Sequence, residues 1–86
     1  MKINKSEFIK ILKDNTDSDF KFDLITLDDH LQDLGIDSLG FATLLWELES
    51  HFDINDPSYA DELNGHSTIG DMVLIYRALG HEISIS

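Results

Sequence analysis

The chain of 86 residues contains no cysteine and only one proline. It therefore has no disulfide, no thiolate metal ligand and no thiol nucleophile, and packing alone must hold it together. No apolar run is long enough to span a bilayer, and the first five residues lack the apolar segment of a signal peptide. We expect a single cytoplasmic domain with one modest core.

Basic residues are scarce as well. The chain has six lysines and arginines against 17 aspartates and glutamates, so its formal net charge is −11. The interval between Lys21 and Arg77 contains no lysine or arginine but twelve acidic residues. Such a surface repels nucleic acid and anionic membranes and attracts basic protein partners. The alternative is that the acidity only maintains solubility.

Apolar spacing predicts an all-α fold, an antiparallel bundle of three main helices, one short helix and a long first loop. The main helices are expected from residue 4 or 6 to 14, from 38 to 52 and from 69 to 80. The last one begins at a capping box formed by Thr68 and Asp71. Its inward face is expected to consist of Ile69, Met72, Val73, Tyr76 and Leu79. The short helix is expected over residues 57–63, and it closes at Asn64-Gly65, a pair that favours the left-handed conformation at a helix end.

The first loop, residues 20–34, is expected to be ordered by apolar anchors, with a helical turn at residues 28–31. Phe20, Phe22 and Leu24 alternate as in a strand, but a lone short strand cannot form a sheet. We expect one domain over residues 1–80. The tail, residues 81–86, is expected to fray, with Ile83 and Ile85 as residues that could dock.

The central helix carries two apolar stripes. The first is expected to face the core and consists of Phe41, Leu44, Leu45, Leu48 and Phe52. The second, on another flank, consists of Leu39, Ala42 and Trp46. It is either covered by the first loop or exposed for a partner. The opposite, polar side is expected to consist of Gly40, Thr43, Glu47, Ser50 and His51.

Ser38, behind Asp37 at the start of this helix, is the candidate functional residue. It is not a nucleophile elbow, because Gly35 lies one residue too early for that motif. No pair of the four histidines has metal-ligand spacing. The acidic run 14–19 does not fit a calcium loop, since Asp19 replaces the required glycine and Ile25 the required glutamate. We therefore expect no catalytic residue and no metal site.

A helix start offers free N–H groups and the positive end of the helix dipole, which suit a phosphate on Ser38. The alternative is that Asp37 or Ser38 merely caps the helix. Both can hold at once if Asp37 is the cap and the Ser38 side chain points to solvent.

The sequence resembles the acyl carrier protein family, including peptidyl and aminoacyl carriers. The resemblance covers nearly the whole chain. It is carried by Leu34-Gly35-Ile36-Asp37-Ser38-Leu39, Leu44-Leu45, Leu48-Glu49, Phe52-Asp53-Ile54 and Ser67-Thr68-Ile69-Gly70-Asp71-Met72-Val73.

The resemblance implies that residues 1–80 are a carrier domain whose Ser38 carries a covalent 4′-phosphopantetheine arm. A magnesium-dependent phosphopantetheinyl transferase would attach the arm from coenzyme A, and its thiol would hold an acyl or aminoacyl group as a thioester. The protein would be a monomeric carrier, not an enzyme, serving loading and condensing or transfer enzymes. The implied partner-binding residues are Asp37, Leu39, Ala42, Trp46, Glu47 and Glu49.

Four departures argue against a housekeeping role in fatty acid synthesis. Thr43 replaces the usual glutamate, Gly40 an acidic or polar residue, and Trp46 an aliphatic one. Ile54 is followed by Asn-Asp-Pro instead of directly by proline. They suggest a specialised polyketide, nonribosomal peptide or fatty acid pathway, or aminoacyl transfer. Two other hypotheses are an interaction module of the same fold whose Ser38 is never modified, and a small hydrolase that uses Ser38.

Overall fold

A computed structural model describes residues 1–17 and 19–85. Ser18, inside the acidic run 14–19, and Ser86, at the end of the tail, lie outside the described residues. The predicted fold class is confirmed, with three main helices, one short helix and a long first loop. The elements are β1 (Lys2–Ile3), α1 (Lys5–Asp14), α2 (Ser38–Phe52), α3 (Ile69–Ala78), β2 (Glu82–Ile83) and three short 3₁₀ helices (Phe22–Leu24, Leu31–Leu34, Pro57–Glu62).

Side-chain caps explain where α1 and α3 begin. Asn4 and Glu7 form a capping box at the start of α1. At the start of α3, the hydroxyl of Thr68 accepts a hydrogen bond from the Asp71 amide, and the Asp71 carboxylate accepts one from the Thr68 amide. The capping box predicted from the sequence is confirmed.

The core draws on every main helix. Its fully buried side chains include Phe8, Leu12, Leu44, Leu48, Ile69, Met72 and Tyr76. Phe41, predicted to face the core, is only half-buried at its edge. Leu79 was expected on the inward face of the last helix, but α3 ends at Ala78 and Leu79 is 42% exposed.

The first loop is ordered, but its helical turn lies three residues later than predicted, at Leu31–Leu34. Backbone hydrogen bonds to the start of α3 and to the segment before it fix the loop. The Leu31 amide donates to the carbonyl of Ser67, and the Gly70 amide donates to that of Leu27. These partners are distant in sequence, so local propensity did not indicate them. Phe22 is a buried anchor, whereas Leu24 is 70% exposed.

The short helix is a 3₁₀ helix over Pro57–Glu62, capped by the Asp56 side chain. The prediction of a left-handed Gly65 is wrong. Among the described residues, the glycines with positive φ are Gly35 and Gly80. The chain leaves the short helix through an extended Leu63, and the Gly65 carbonyl accepts a hydrogen bond from the amide of Gln32.

The prediction that the tail frays is wrong for residues 81–85. β2 pairs in parallel with β1, with Ile83 opposite Ile3. Ile83 is 3% exposed, and the His81 ring stacks on Phe52 at a centroid distance of 4.7 Å. The two-residue strands were missed because each is too short to show a pattern. Whether residues 1–80 suffice as a domain stays a prediction.

Within residues 1–17 and 19–85, no helix has the length and apolar character needed to cross a membrane.

Replacing Ile83 by alanine tests the docking of the tail. We expect Ile83→Ala to lower the free energy of unfolding by about 2–5 kcal/mol, as for other buried aliphatic side chains. Urea denaturation followed by circular dichroism measures it. Glu82→Ala is the matched control, since Glu82 is exposed and its 3.9 Å ion pair with Lys2 is solvated. Equal stability of the two variants would show that the tail does not dock.

Candidate functional site

Ser38 is the first residue of α2, and it is exposed. The cap of this helix is the residue before it: the Asp37 carboxylate accepts a hydrogen bond of 2.7 Å from the Gly40 amide. The Asp37 carbonyl also accepts the first intrahelical bond, from the amide of Phe41 at 2.8 Å. Asp37 is therefore the cap of the helix. Ser38 is at the first helical position, in the turn whose backbone N–H groups have no acceptor within the helix.

A close contact between α1 and α2 fixes the position of this first turn. Gly40 is buried, and a β-carbon there would collide with the carbonyl oxygen of Asn15, just after α1. The prediction that Gly40 belongs to the outer polar side is therefore wrong. Only glycine allows the backbone at the end of α1 to approach α2 so closely.

The segment that enters α2 is tied to the same point. The Thr16 hydroxyl lies 3.1 Å from the carbonyl oxygen of Leu34 and 2.8 Å from that of Gly35. Gly35 ends the preceding 3₁₀ helix in the left-handed conformation, with φ 80°. Leu34 and Ile36, on either side of it, are buried. The chain therefore reaches Ser38 from a fixed direction.

An open polar groove of about 480 Å³ lies beside Ser38. Its lining residues come from the end of α1 and the start of α2: Asp14, Asn15, Thr16, Asp17, Gly35, Asp37, Leu39, Gly40 and Thr43. In the described part of the chain, no group of three or more histidine or acidic side chains is arranged to hold a metal ion.

The second apolar stripe of α2 is exposed and not covered by the first loop. Leu39 is 76% exposed, Trp46 is 67% exposed, and Ala42 between them is exposed as well. Asp37 is exposed at one end of the stripe, and Glu47 is half-buried. The structure thus leaves an apolar strip with acidic neighbours open to solvent. Its role in partner binding stays a prediction.

Glu49, predicted with that surface, has a partner inside the molecule. Its carboxylate accepts a hydrogen bond of 2.9 Å from the hydroxyl of Tyr59, in the 3₁₀ helix Pro57–Glu62. The Tyr59 hydroxyl also lies 2.8 Å from that of Tyr76 in α3. Burial is the main cause that raises the pKa of Tyr59 well above its usual value and that of Tyr76 to about 12.

This tyrosine pair was not predicted from the sequence. Tyr76 was placed on the inward face of the last helix, and a buried phenol needs a hydrogen-bond partner. The sequence therefore indicated that the Tyr76 hydroxyl would have a hydrogen-bond partner. The identity of the partner was not predictable, because Tyr59 lies in a 3₁₀ segment with no apolar periodicity.

The chain was compared with known protein families, with curated proteins and with solved structures. The model of the family described as "phosphopantetheine attachment site" matches residues 6–75. This chain belongs to that family. No solved structure matches the chain significantly.

Two curated relatives of this phosphopantetheine-attachment protein are both named Nodulation protein F. The one from Rhizobium leguminosarum bv. viciae is 45% identical over 56 residues, and the one from Rhizobium leguminosarum bv. trifolii is 43% identical over 56 residues. Each alignment covers 64% of this chain and 61% of the relative. The chain thus spans less than two thirds of the length of these relatives.

Membership of the phosphopantetheine attachment site family supports the prediction, made from the sequence, that the chain is in the acyl carrier protein family. The phosphopantetheine-attachment domain is where 4′-phosphopantetheine is covalently bound. Members of the family are carriers and not catalysts, and they work with a phosphopantetheinyl transferase and biosynthetic enzymes. The exposed hydroxyl at the start of α2 suits such a group, because the free N–H groups there favour a phosphate.

The close approach at Gly40 gives a stability test of the site. We expect Gly40→Ala to destabilise the protein by about 1–3 kcal/mol, because the new methyl group forces the end of α1 away from α2. In a helix without that contact, alanine would be favoured over glycine by about 1 kcal/mol. Thermal unfolding measures the difference. Gly65→Ala is the control, since a β-carbon at Gly65 meets no atom within 4 Å. A Gly40→Ala protein as stable as wild type would refute the contact.

Proposed function

We propose that Ser38 carries the 4′-phosphopantetheine arm and that the protein is a discrete acyl carrier. The arm is joined to the Ser38 oxygen by a phosphodiester, and a magnesium-dependent transferase supplies it from coenzyme A. The thiol of the arm then holds an acyl or aminoacyl group as a thioester. The observation that carries this proposal is the exposed Ser38 at the start of a helix that Asp37 caps.

The chain's own residues contribute position and electrostatics. Asp37 holds the first turn by accepting from the Gly40 amide, so the Ser38 hydroxyl is not needed as a cap. The free N–H groups of the first turn and the helix dipole stabilise the phosphate charge. Thr16 holds the carbonyl oxygens of Leu34 and Gly35 and so fixes the backbone that leads to Ser38.

Partner enzymes dock, in this proposal, on the docking face formed by Asp37, Leu39, Ala42, Trp46 and Glu47. Leu39, directly after Ser38, and Trp46, about 12 Å further along the helix, supply its exposed apolar area. The absence of lysine and arginine between Lys21 and Arg77 favours enzymes with a basic surface around the docking site. Glu49 is half-buried and already accepts a hydrogen bond from Tyr59, so it is left out of this face.

A specialised pathway of polyketide, nonribosomal peptide or fatty acid synthesis is the biological setting that we propose, in the cytoplasm. Thr43, Gly40 and Trp46 differ from the residues typical of housekeeping carriers. The two curated relatives bear a name that refers to nodulation, a specific process and not general lipid synthesis. Both observations support a dedicated set of partner enzymes.

Modification in a host that supplies a broad-specificity transferase and coenzyme A tests the proposal. We expect intact-protein mass spectrometry to show one phosphopantetheinyl adduct on the wild type and none on Ser38→Ala. Ser50→Ala is the control, since Ser50 is an exposed serine on the same helix, and it should be modified like the wild type.

The competing functions give different results. An unmodified wild type whose partner binding is unchanged by Ser38→Ala would support the interaction module of the same fold. Turnover of an ester substrate by the protein without the arm would support a hydrolase that uses Ser38.

Replacing Trp46 by alanine distinguishes a role in docking from a role in folding. With Trp46 at 67% exposure, we expect Trp46→Ala to change the free energy of unfolding by far less than the roughly 3–5 kcal/mol of a buried tryptophan. It should nevertheless slow acyl transfer to or from a partner enzyme, because it removes apolar area from the docking face. Ser50→Ala again serves as control. A large loss of stability, or an unchanged rate of acyl transfer, would show that Trp46 is not part of the docking face.

A further inference from the structure

Thr16 follows α1 directly, and the end of that helix fixes its backbone. The Thr16 amide donates a hydrogen bond of 3.4 Å to the carbonyl of Lys13. The side-chain amide of the neighbouring Asn15 donates one of 2.8 Å to the carbonyl of Ile11. Thr16 itself is half-buried. The residue that carries this hydroxyl is therefore anchored to α1.

The Thr16 hydroxyl contacts two consecutive carbonyl groups at the end of the 3₁₀ helix Leu31–Leu34. It lies 2.8 Å from the carbonyl oxygen of Gly35 and 3.1 Å from that of Leu34. The last carbonyl groups of a helix have no donor within the helix, so their donors come from elsewhere in the fold. Thr16 supplies a donor for both of these oxygens.

The backbone between Leu34 and Ile36 needs such a restraint. The side chains of these two residues are buried, which fixes the positions of the residues themselves. Burial alone does not fix how the peptide planes between them are turned. Gly35, with φ 80°, lies between them, and glycine has more conformational freedom than any other residue. The hydrogen bonds from Thr16 restrain these peptide planes.

The direction of the chain at Gly35 determines where Ser38 lies, because only Ile36 and Asp37 separate the two residues. Asp37 keeps its role as helix cap only while its carboxylate reaches the Gly40 amide, which is 2.7 Å away. A rotation of the peptide planes at Gly35 displaces Asp37 and, with it, Ser38. The contact with Thr16 opposes that rotation.

We propose that Thr16 is a positioning residue for the attachment of the arm, because it keeps Ser38 in the position that the transferase binds. Since Ser38 is the proposed attachment residue, this role depends on the proposed function. In the transfer, the Ser38 oxygen bonds to the phosphorus of coenzyme A that bears the pantetheine group. The diphosphate bond breaks, adenosine bisphosphate leaves, and the hydroxyl proton passes to a base of the transferase.

Thr16 forms and breaks none of these bonds. Its contribution is to order the chain before the transferase binds, so that less binding free energy is needed to order it afterwards. Without the hydroxyl, the carbonyl groups of Leu34 and Gly35 lose a donor and turn toward water, and fewer molecules present Ser38 correctly.

Three variants of Thr16 test this role. Thr16→Val keeps the shape of the side chain but not the donor, Thr16→Ala lacks the donor without adding a methyl group, and Thr16→Ser keeps the hydroxyl. Circular dichroism confirms that each variant is folded. A broad-specificity transferase and coenzyme A then modify each variant over a range of carrier concentrations. Intact-protein mass spectrometry follows the adduct with time.

We expect Thr16→Val and Thr16→Ala to lower kcat/KM for modification about fivefold, the ratio that corresponds to the loss of one net hydrogen bond. The change should lie in KM, because a smaller fraction of the molecules has the conformation that the transferase binds. The kcat of the bound protein should stay near that of wild type. Thr16→Ser should behave like wild type.

Two controls separate this effect from general ones. Thr26→Val removes the hydroxyl of an exposed threonine in the first loop, which donates within that loop to the Asp29 carboxylate at 3.4 Å. Ile83→Ala lowers the stability of the fold at the tail, where Ile83 is buried. Both should be modified with the kcat and KM of wild type, because neither changes the segment that enters α2.

Hydrogen exchange measures the same restraint without the transferase. The amides of Gly35 and Ile36 donate to the carbonyls of Gln32 and Leu31, at 3.1 Å and 3.3 Å. We expect both amides to exchange about fivefold faster in Thr16→Val than in wild type, because local opening becomes more frequent. In the Thr16→Ser variant they should exchange as in wild type.

The other outcomes count against the proposal or against the function on which it depends. If Thr16→Val and Thr16→Ala stay within about twofold of wild type in kcat/KM, the hydroxyl does not position Ser38. A Thr16→Ser protein as slow as Thr16→Val, a fall in kcat alone, an equal fall in Ile83→Ala or unchanged hydrogen exchange would also overturn the proposal. An unmodified wild type would instead overturn the proposed function, and mass spectrometry shows it before any variant is compared.

Discussion

The contact between the end of α1 and the first turn of α2 is the constraint on which the site depends. Gly40 is buried against the Asn15 carbonyl, and the neighbouring Thr16 holds the carbonyl oxygens of Leu34 and Gly35. These contacts fix the direction in which the chain enters α2. Because Asp37 then caps the helix, Ser38 is left exposed at a place where a phosphate is stabilised.

The helix that begins at Ser38 divides its apolar residues between two tasks. Leu44 and Leu48 are fully buried and join α2 to the rest of the core. Leu39 and Trp46, on the other flank, remain exposed although they are among the largest apolar side chains. Exposed apolar area of this size is typical of surfaces that other proteins contact, which agrees with the docking face that we propose.

The sequence was sufficient for features that depend on local patterns. Helical periodicity and capping residues predicted the main helices, and the Asp37-Ser38 pair predicted where α2 begins. That Ser38 is the attachment site stays a proposal. Features that depend on contacts between distant residues were not predictable. Gly40 is buried because Asn15 approaches it, Tyr59 is held by Tyr76, and residues 82–83 pair with residues 2–3. None of these contacts produces a periodic pattern of residues in the sequence.

The central claim is that Ser38 carries the 4′-phosphopantetheine arm. Localisation of the arm by fragment-ion mass spectrometry measures it most directly. The wild-type protein, modified by a transferase and coenzyme A, would be fragmented and every serine-containing ion examined. The arm should be found on the fragment that contains Ser38 and on no other. An arm on a different serine, or an unmodified protein, would contradict the claim.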